Sequence, residues 1–517
     1  MSLYVIGVGG TGAKCLESIA NLAAIGLLSD PDSSDQTLNL LYVDADETNG
    51  SLERARSSLS VYERCFNLCD EQHRQKLPWM RTQIRSFGLW SPFSRVTTDK
   101  KLGSLFGYDT LKQNAPNLGH LFDVLFTKEE REATLDVGFR GRPAIGSAVM
   151  SQVNLTRLDE EAWGQFIKQL QTEASGGKMP KVLLCGSIFG GTGASGLPTL
   201  GRLIADRLEG KEKEKEIPIG CIFLLPYFSF TPSSKSEDEM FAHADQFLIN
   251  TEAALQYYLT QANSFNAVYL LGNQSLSQVE FSIGKQTQRN QPHFMELYAG
   301  LAARHFLLAP PSSEQPAVAL VSRQRQGRIT WQDLPDYASQ GKDVRIRLST
   351  ATRFAYVWLA NIAPELERAR TIGIGRFQRE APWFIQFFQP KVSGISKMMN
   401  LSADALADFN DPKEQQAIAT ISEWCQDYLR WLTDLHQCNE ETIDLFNTEP
   451  LKDLTGKVVK ADELAQLIKG TQLDRSQMSK DTIPNLKLAL DSQAPHAYGK
   501  GAVGLARTLY ALCEIRT

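Results

Sequence analysis

The sequence predicts an α/β protein: a doubly wound, mainly parallel sheet with a long central helix and a mostly helical C-terminal part. Three observations carry this. Short apolar runs recur with helical patterns between them, as a parallel sheet with crossover helices requires. Two of the runs, residues 3–6 and 181–185, pass through glycine-rich turns straight into helices. Beyond Ala351 the strand pattern gives way to amphipathic helical stripes. The length of 517 residues, with 42% hydrophobic content, is enough for a large core and about two to four domains.

A formal net charge of −5 leaves no basic footprint for nucleic acid. The eight cysteines are scattered, and those at 185 and 221 lie inside apolar runs, which suits reduced, buried thiols of a cytoplasmic protein. Cys65 and Cys69 stand one helical turn apart without a second pair or a neighbouring histidine, so packing is favoured over zinc. No run of about 18 apolar residues is present to span a membrane. Met1 leads directly into a strand, which leaves no room for a signal peptide.

In chain order, residues 3–6 form the first strand, followed by Gly7-Val8-Gly9-Gly10-Thr11-Gly12-Ala13-Lys14 and a helix reaching Leu27. Glycines let backbone N–H groups approach an anion, and the helix N-terminus adds favourable charge, so this turn is shaped for phosphate. Dinucleotide-binding folds and adenylyltransferases begin in the same way. No Gly-Lys-Ser/Thr spacing of a P-loop occurs. The second strand, residues 38–43, ends in Asp44 and Asp46. Carboxylates at the end of a parallel strand accept from a ribose hydroxyl or hold magnesium through water, the role given to Asp46; solvated strand-end acids are the plain alternative. Residues 55–135 read as an insertion, partly helical, with Trp79 and Trp90 as packing anchors.

Residues 138–146 form a turn-rich loop with Gly141 and Arg142, entering a helix of small residues. Residues 160–170 are an amphipathic helix. The run 181–185 then opens into Gly190, Gly191, Thr192, Gly193, Ala194 and Ser195, and a helix over 197–208. Thr192 and Ser195 add hydroxyl donors to this second phosphate-shaped turn. Further strands are expected at 219–225 and 267–271, the latter ending at Asn273, with a helix over 237–262 between them. Residues 315–327 read as an exposed loop.

With these loops in place, residues 3–340 resemble a divergent member of the tubulin/FtsZ superfamily. Gly9, Gly10, Thr11 and Gly12 resemble its first nucleotide loop, and Asp44 and Asp46 its Asn-Thr-Asp segment. Gly141, Pro143, Ile145 and Gly146 match the FtsZ Gly-Ala-Asn-Pro-x-Ile-Gly loop, with Arg142 where Asn is usual. Gly190-Gly191-Thr192-Gly193 matches four positions of the Gly-Gly-Gly-Thr-Gly-(Ser/Thr)-Gly signature, with Phe189 for its first glycine and Ser195 for its last. Leu271-Gly272-Asn273 resembles the Ile-Pro-Asn whose Asn reads guanine. The ribose-binding glutamate expected after Pro226-Tyr227 is not evident.

The resemblance implies a central helix over 291–308, with Phe294 or Tyr298 stacking on the base and Glu296 accepting from guanine; a buried stripe is the alternative for these contacts. It also implies a catalytic segment, in which Asp333 and Asp336 keep the spacing of two acids that reach the neighbouring subunit's nucleotide, while Trp331 replaces an Asn. A capped helix start is the alternative there. The resemblance thus implies GTP/GDP and Mg2+ as cofactors, hydrolysis, and head-to-tail self-assembly into filaments. A nucleotide-binding scaffold without hydrolysis, and a closed adenylyltransferase-like or NAD-binding enzyme, remain as alternatives. The expected division is a nucleotide-binding domain over 1–310, a catalytic segment over 311–345 and a helical domain over 346–517. Helices are expected at 421–435, 461–468 and 501–515; their stripes suit core packing, with docking of a protein partner as the second reading.

Overall fold

The computed structural model describes residues 2–29, 36–96, 99–139, 141–208, 217–230, 246–261, 265–279, 290–309, 317–322, 327–335, 337–389, 406–437, 443–452, 454, 463–470, 482–492 and 497–515. It separates into two compact units. The first comprises Met1–Ile19, Asp30–Ser57 and Ile84–Gln326, the second Ala20–Ser29, Ser58–Gln83 and Gly327–Thr517.

In chain order the first unit takes its elements from β1 (Ser2–Val8), α1 (Gly9–Ala24), β2 (Thr37–Val43), α2 (Gly50–Leu68), β3 (Gln83–Trp90), α3 (Pro143–Met150), α4 (Ala162–Ser175), β4 (Lys181–Ser187), α5 (Gly191–Leu208), β5 (Ile219–Leu224), α6 (Gln246–Gln261), β6 (Ala267–Gly272), α7 (Phe294–Leu308) and β7 (Ala317–Ser322). Seven strands form one sheet in the order β3-β2-β1-β4-β5-β6-β7. The registers from β2 to β7 are all parallel. Every residue of β1, β4 and β5 is buried, the signature of strands covered on both faces, which explains why they read as continuous apolar runs. One face carries Tyr4, Ile6, Val182, Leu184, Cys221 and Phe223 into a core shared with Trp163 and Phe166 of α4 and Leu197 and Leu200 of α5. The other face receives α7, since a Cβ at Gly220 would lie 2.8 Å from the Phe306 ring. The sheet is therefore doubly wound.

Several boundaries differ from the sequence reading. The stretch 55–135 is divided between the two units. Its part 58–83 belongs to the second unit, where Trp79 is fully buried against Phe354, Trp424 and Tyr510. Its later part supplies β3, an edge strand of the main sheet. Residues 317–322, read as loop, form the opposite edge strand. Helix α6 is described from Gln246 onward, and 237–245 lies outside the described residues.

The second unit is mostly helical. Its elements include α8 (Tyr337–Val357), which runs through a π-helical turn at Trp358–Ile362 into α9 (Ala363–Ile372), then α10 (Ile374–Glu380), α11 (Pro412–His436), α12 (Ile483–Ser492) and α13 (Gly501–Leu512). The stripe expected over 421–435 is core: Ile421, Trp424, Tyr428, Leu432 and Leu435 are all buried. Of the helix expected over 461–468, the described residues 463–468 include the short helix Glu463–Gln466. The seven described cysteines are buried, and none forms a disulfide among the described residues. Among the described residues no helix is long and apolar enough to cross a membrane.

Candidate functional site

Strand order dictates where a site is built. From β1 the chain steps outward to β2 and β3, and from β4 outward in the opposite direction through β5 and β6 to β7. The crevice between β1 and β4 is thus a topological switch point, where loops leaving the strands' carboxyl ends part to opposite faces. The two loops that flank this crevice are the two glycine turns.

The turns are in near contact. Gly9 has φ +75°, and a Cβ there would lie 3.3 Å from Cβ of Thr192 and 3.5 Å from the backbone N of Gly193. Both helices begin inside their motifs: α1 at Gly9 and α5 at Gly191, six residues ahead of the expected start at 197. Gly9, Gly10, Thr11 and Gly12 thus form the first turn of one helix, and Gly191, Thr192, Gly193 and Ala194 that of the other. A helix leaves its first-turn N–H groups without intrahelical partners, although that of Ala194 donates to the Gly190 carbonyl at 3.2 Å, and here two such turns and two positive dipole ends meet at one place. Gly10, Thr11, Gly190 and Thr192 are half-buried, whereas Gly9, Gly191, Gly193 and Ala194 are buried.

Two further loops close on the same point. A Cβ at Gly191 would lie 2.9 Å from Cβ of Phe139, 3.2 Å from the N of Gly141 and 3.3 Å from the N of Arg142. The side-chain amide of Asn250 on α6 donates to the carbonyls of Gly141 (3.1 Å) and Phe189 (3.2 Å), tying these loops together. A Cβ at Gly10 would meet the Asn49 amide at 3.0 Å. Asn250 carries no sequence signal, because it acts through partners distant in sequence, whereas Asn49 caps α2 locally, its Oδ1 accepting from the N–H of Ser51 at 2.9 Å.

At the end of β2, Oδ1 of Asp44 accepts from the N–H of Asp46 (3.2 Å) and lies 3.5 Å from the Thr192 hydroxyl, whereas Oδ2 is buried without a partner. Burial is the main cause that raises the Asp44 carboxyl to about 7, with the Asp46 charge acting in the same direction and hydrogen bonds opposing. An unpaired buried carboxylate oxygen beside two helix N-termini fits a site that a cation or a ligand donor completes. Asp46 is buried, and its Oδ1 accepts from the N–H and hydroxyl of Thr48 (3.0 and 2.9 Å).

Other expected residues have different occupations. Ser195 is buried, and its hydroxyl donates to the carbonyl of Gly191 at 2.7 Å, so it serves its own helix and not an anion. The Arg142 guanidinium is paired with Glu130. Glu296 is fully buried, ion-paired with Lys14 at 2.6 Å, accepting from Tyr227 and closing a capping box with the His293 N–H. Those donors take up the carboxylate that was expected to read a base. His293 caps α7 by accepting the Met295 N–H at Nδ1 (3.2 Å), which leaves Nε2 to donate to Ser277 (3.0 Å); burial, then the Lys14 charge, holds its pKa well below the usual histidine value. Phe294 is buried, packed edge-on against Tyr298 and tilted against His293, the core alternative. Asn273 stands half-buried at the end of β6, its amide donating to the Ser275 carbonyl at 2.9 Å.

In the second unit Asp333 closes a capping box. Its Oδ2 accepts from the N–H and hydroxyl of Thr330 (2.7 and 2.8 Å). Trp331 is buried and donates to the Lys469 carbonyl at 3.0 Å. Asp336 lies outside the described residues.

No family model matches the sequence, and no curated protein matches it. Among solved structures, one similar chain is CetZ2 from Haloferax volcanii in a GTPγS-bound protofilament. The likeness has a TM-score of 0.28 and 15% identity over 60% of this chain and 61% of that one. Another is CetZ from Methanosaeta thermophila, with a TM-score of 0.24 and 12% identity over 59% of this chain and 53% of that one. This chain thus spans about three fifths of the first and about half of the second.

Proposed function

We propose that this chain is a divergent tubulin/FtsZ-like protein that binds GTP with magnesium at the β1/β4 crevice and assembles head to tail. One observation carries the reading: the first turns of α1 and α5 stand within van der Waals reach at the switch point, with the half-satisfied carboxylate of Asp44 beside them. Two helix N-termini offer N–H donors to successive phosphates, which suits a polyphosphate better than a single anion. The Thr11 and Thr192 hydroxyls lie at the half-buried rim and orient the chain of phosphates. The choice of guanine rests on the motif resemblance, with Asn273 as the base-reading residue.

Among the described residues no group of three or more His, Cys, Asp or Glu side chains is arranged to hold a metal ion. Magnesium would therefore take most of its ligands from phosphate and water, with Asp44 nearby and Asp46 reaching it through water. It would neutralise charge on the transferring phosphoryl group. Hydrolysis then calls for Asp333 and Asp336 of an adjoining copy to orient the attacking water, as the resemblance implies. A chain that completes its neighbour's site makes turnover depend on assembly.

Phosphate release from GTP, measured at two protein concentrations with electron microscopy of the same samples, tests this. The expected result is a higher rate per chain at the higher concentration, with filaments. A rate unchanged on dilution contradicts the shared site. A second reading, GTP binding without hydrolysis, is favoured by the contacts of Asp333, whose carboxylate already serves Thr330. It predicts saturable GTP binding with no phosphate release at either concentration.

A further inference from the structure

One face of the seven-stranded sheet is covered over only part of its width. The registers carry this face outward from Phe223 of β5 through Leu270 of β6 to Leu320 of β7, with Val268 and Val318 two residues earlier on the same side. Helix α6 lies over β5, where Tyr258 packs on Phe223 with ring centroids 4.2 Å apart. From this helix Asn250 reaches back to the glycine turns that it ties together. At about 100° per residue, Leu248, Leu255 and Leu259 point the opposite way, toward the β7 edge. Leu255 packs with Val268 and Leu270 against the core. Leu248 and Leu259 on the helix, and Val318 and Leu320 on the strand, are each more than half exposed. They line an apolar trough, floored by the sheet and walled by α6, where a fully covered parallel sheet carries one more helix.

The same unit also holds a helix with no seat for its apolar side. Between β3 and α3, Phe122 anchors the helix Pro116–Leu125 by packing on Phe106, Tyr108 and Phe126. Leu118, Leu121, Val124 and Leu125 occupy an arc of about 120° on another side of it, and each is more than half exposed. An exposed helix ordinarily turns polar residues outward, so such a stripe marks a contact surface. The helix's single carboxylate, Asp123, is already paired with Lys112 and Arg131, so the stripe can enter an apolar seat without stripping water from a lone charge. Its 10 residues span about 15 Å, within the ~20 Å length of β7. Phe122 and Phe126 share a core with Trp90 at the end of β3, and six strand spacings of about 4.8 Å separate β3 from β7. A chain cannot bring its own helix to its own trough across that distance.

We propose that the helix Pro116–Leu125 of one copy seats in the α6–β7 trough of a second copy, joining the two side by side across the width of the sheet. The eight exposed side chains, on the order of 100 Å2 each, bring about 800 Å2 of apolar surface to the contact. A polar rim of similar size places it within the range of about 1,200–2,000 Å2 that specific interfaces bury. The two surfaces differ, so the contact is heterologous and each copy keeps one free helix or one free trough for the next. The contact uses neither glycine turn nor Asp333, so it stands or falls apart from the nucleotide reading.

Sedimentation velocity of the full chain at rising concentration, in EDTA and without nucleotide, tests it. The unaltered chain should pass from monomer to dimer and larger species. Leu121→Lys on the helix and Leu320→Glu in the trough should each weaken association at least about tenfold, because a charge enters an apolar seat. Leu488→Lys, at a leucine of the second unit as exposed as Leu320, should leave association unchanged. Both altered sites are exposed, so far-ultraviolet circular dichroism should match that of the unaltered chain. An equimolar mixture of Leu121→Lys and Leu320→Glu should form dimers and nothing larger, since the first keeps its trough and the second its helix. A monomer at every concentration, association that survives either substitution, equal loss in Leu488→Lys, or a mixture that stays monomeric would overturn the proposal.

Discussion

A methyl group added at Gly9 would meet two obstacles at once: a φ of +75° and the Thr192 side chain at 3.3 Å. The first costs about 1–2 kcal/mol for an L-residue, and the second pushes the two turns apart. Gly9→Ala should therefore lower GTP affinity about tenfold for a loss of stability of only ~1–2 kcal/mol. Equilibrium dialysis checks the first figure and urea unfolding the second. Unchanged affinity would mean that the junction of the turns holds no ligand. A buried carboxylate and a half-buried histidine tilt stability in opposite directions with pH. Asp44 is raised from 3.8 to about 7, so the folded chain keeps a proton that the unfolded chain releases. Its contribution is full below pH ~4 and is lost as pH rises through about 7, about 4 kcal/mol in all. His436 is lowered from 6.5 to about 4 by burial, so its contribution is full above pH 6.5 and is lost as pH falls through about 4, about 3 kcal/mol. The advantage of Asp44→Asn over the unaltered chain should thus grow from pH 4 to 7 in urea unfolding, and the deficit of His436→Gln should shrink toward pH 4. Flat differences would contradict both assignments. The glycines were legible as residues because their identity is set by the backbone around them. Asn250 and the Lys14–Glu296 pair were not, because no local pattern announces a partner more than 30 residues away.

At the scale of elements, α1 and α7 are locked by the pair Lys14–Glu296, with side chains 3% and 0% exposed. Removing one member leaves a buried charge alone. Lys14→Met or Glu296→Gln should each cost about 3–5 kcal/mol, and the combined substitution Lys14→Met/Glu296→Leu should cost less than the sum. Urea unfolding of the three variants measures this. Additive losses would mean that the two side chains act independently. Strands β1, β2, β4 and β5 were legible because their apolar runs are continuous, as sheets buried on both faces require, and β6 because its run is apolar although it alternates buried and half-buried residues. β7 was not. Its run Ala-Val-Ala-Leu-Val-Ser sits between polar stretches and shows two side chains to solvent, Val318 and Leu320 at 64% and 67% exposure, as an edge strand permits. The start of α5 was misjudged because glycine, a poor helix former, fills its first turn. There the demand for close approach outweighs propensity.

For the whole molecule, contacts group 20–29 and 58–83 with 327–517 and not with the residues that flank them in sequence. Only long-range packing of residues such as Trp79 reveals this. The assembly reading makes its prediction at this scale. Asp333→Asn keeps an oxygen acceptor for Thr330 but removes the carboxylate, so phosphate release should fall at least about tenfold while GTP binding stays the same. Full activity in Asp333→Asn would remove this residue from the reaction. The central claim is prior to hydrolysis: two helix N-termini, brought together at the switch point of one sheet, hold a guanosine polyphosphate. Equilibrium dialysis of the chain against GTP and magnesium, with GDP, ATP and NAD as competitors, measures it directly. The account predicts saturable binding of GTP that GDP displaces and excess ATP or NAD does not; no saturable GTP binding, or displacement by ATP or NAD as effective as by GDP, would contradict it.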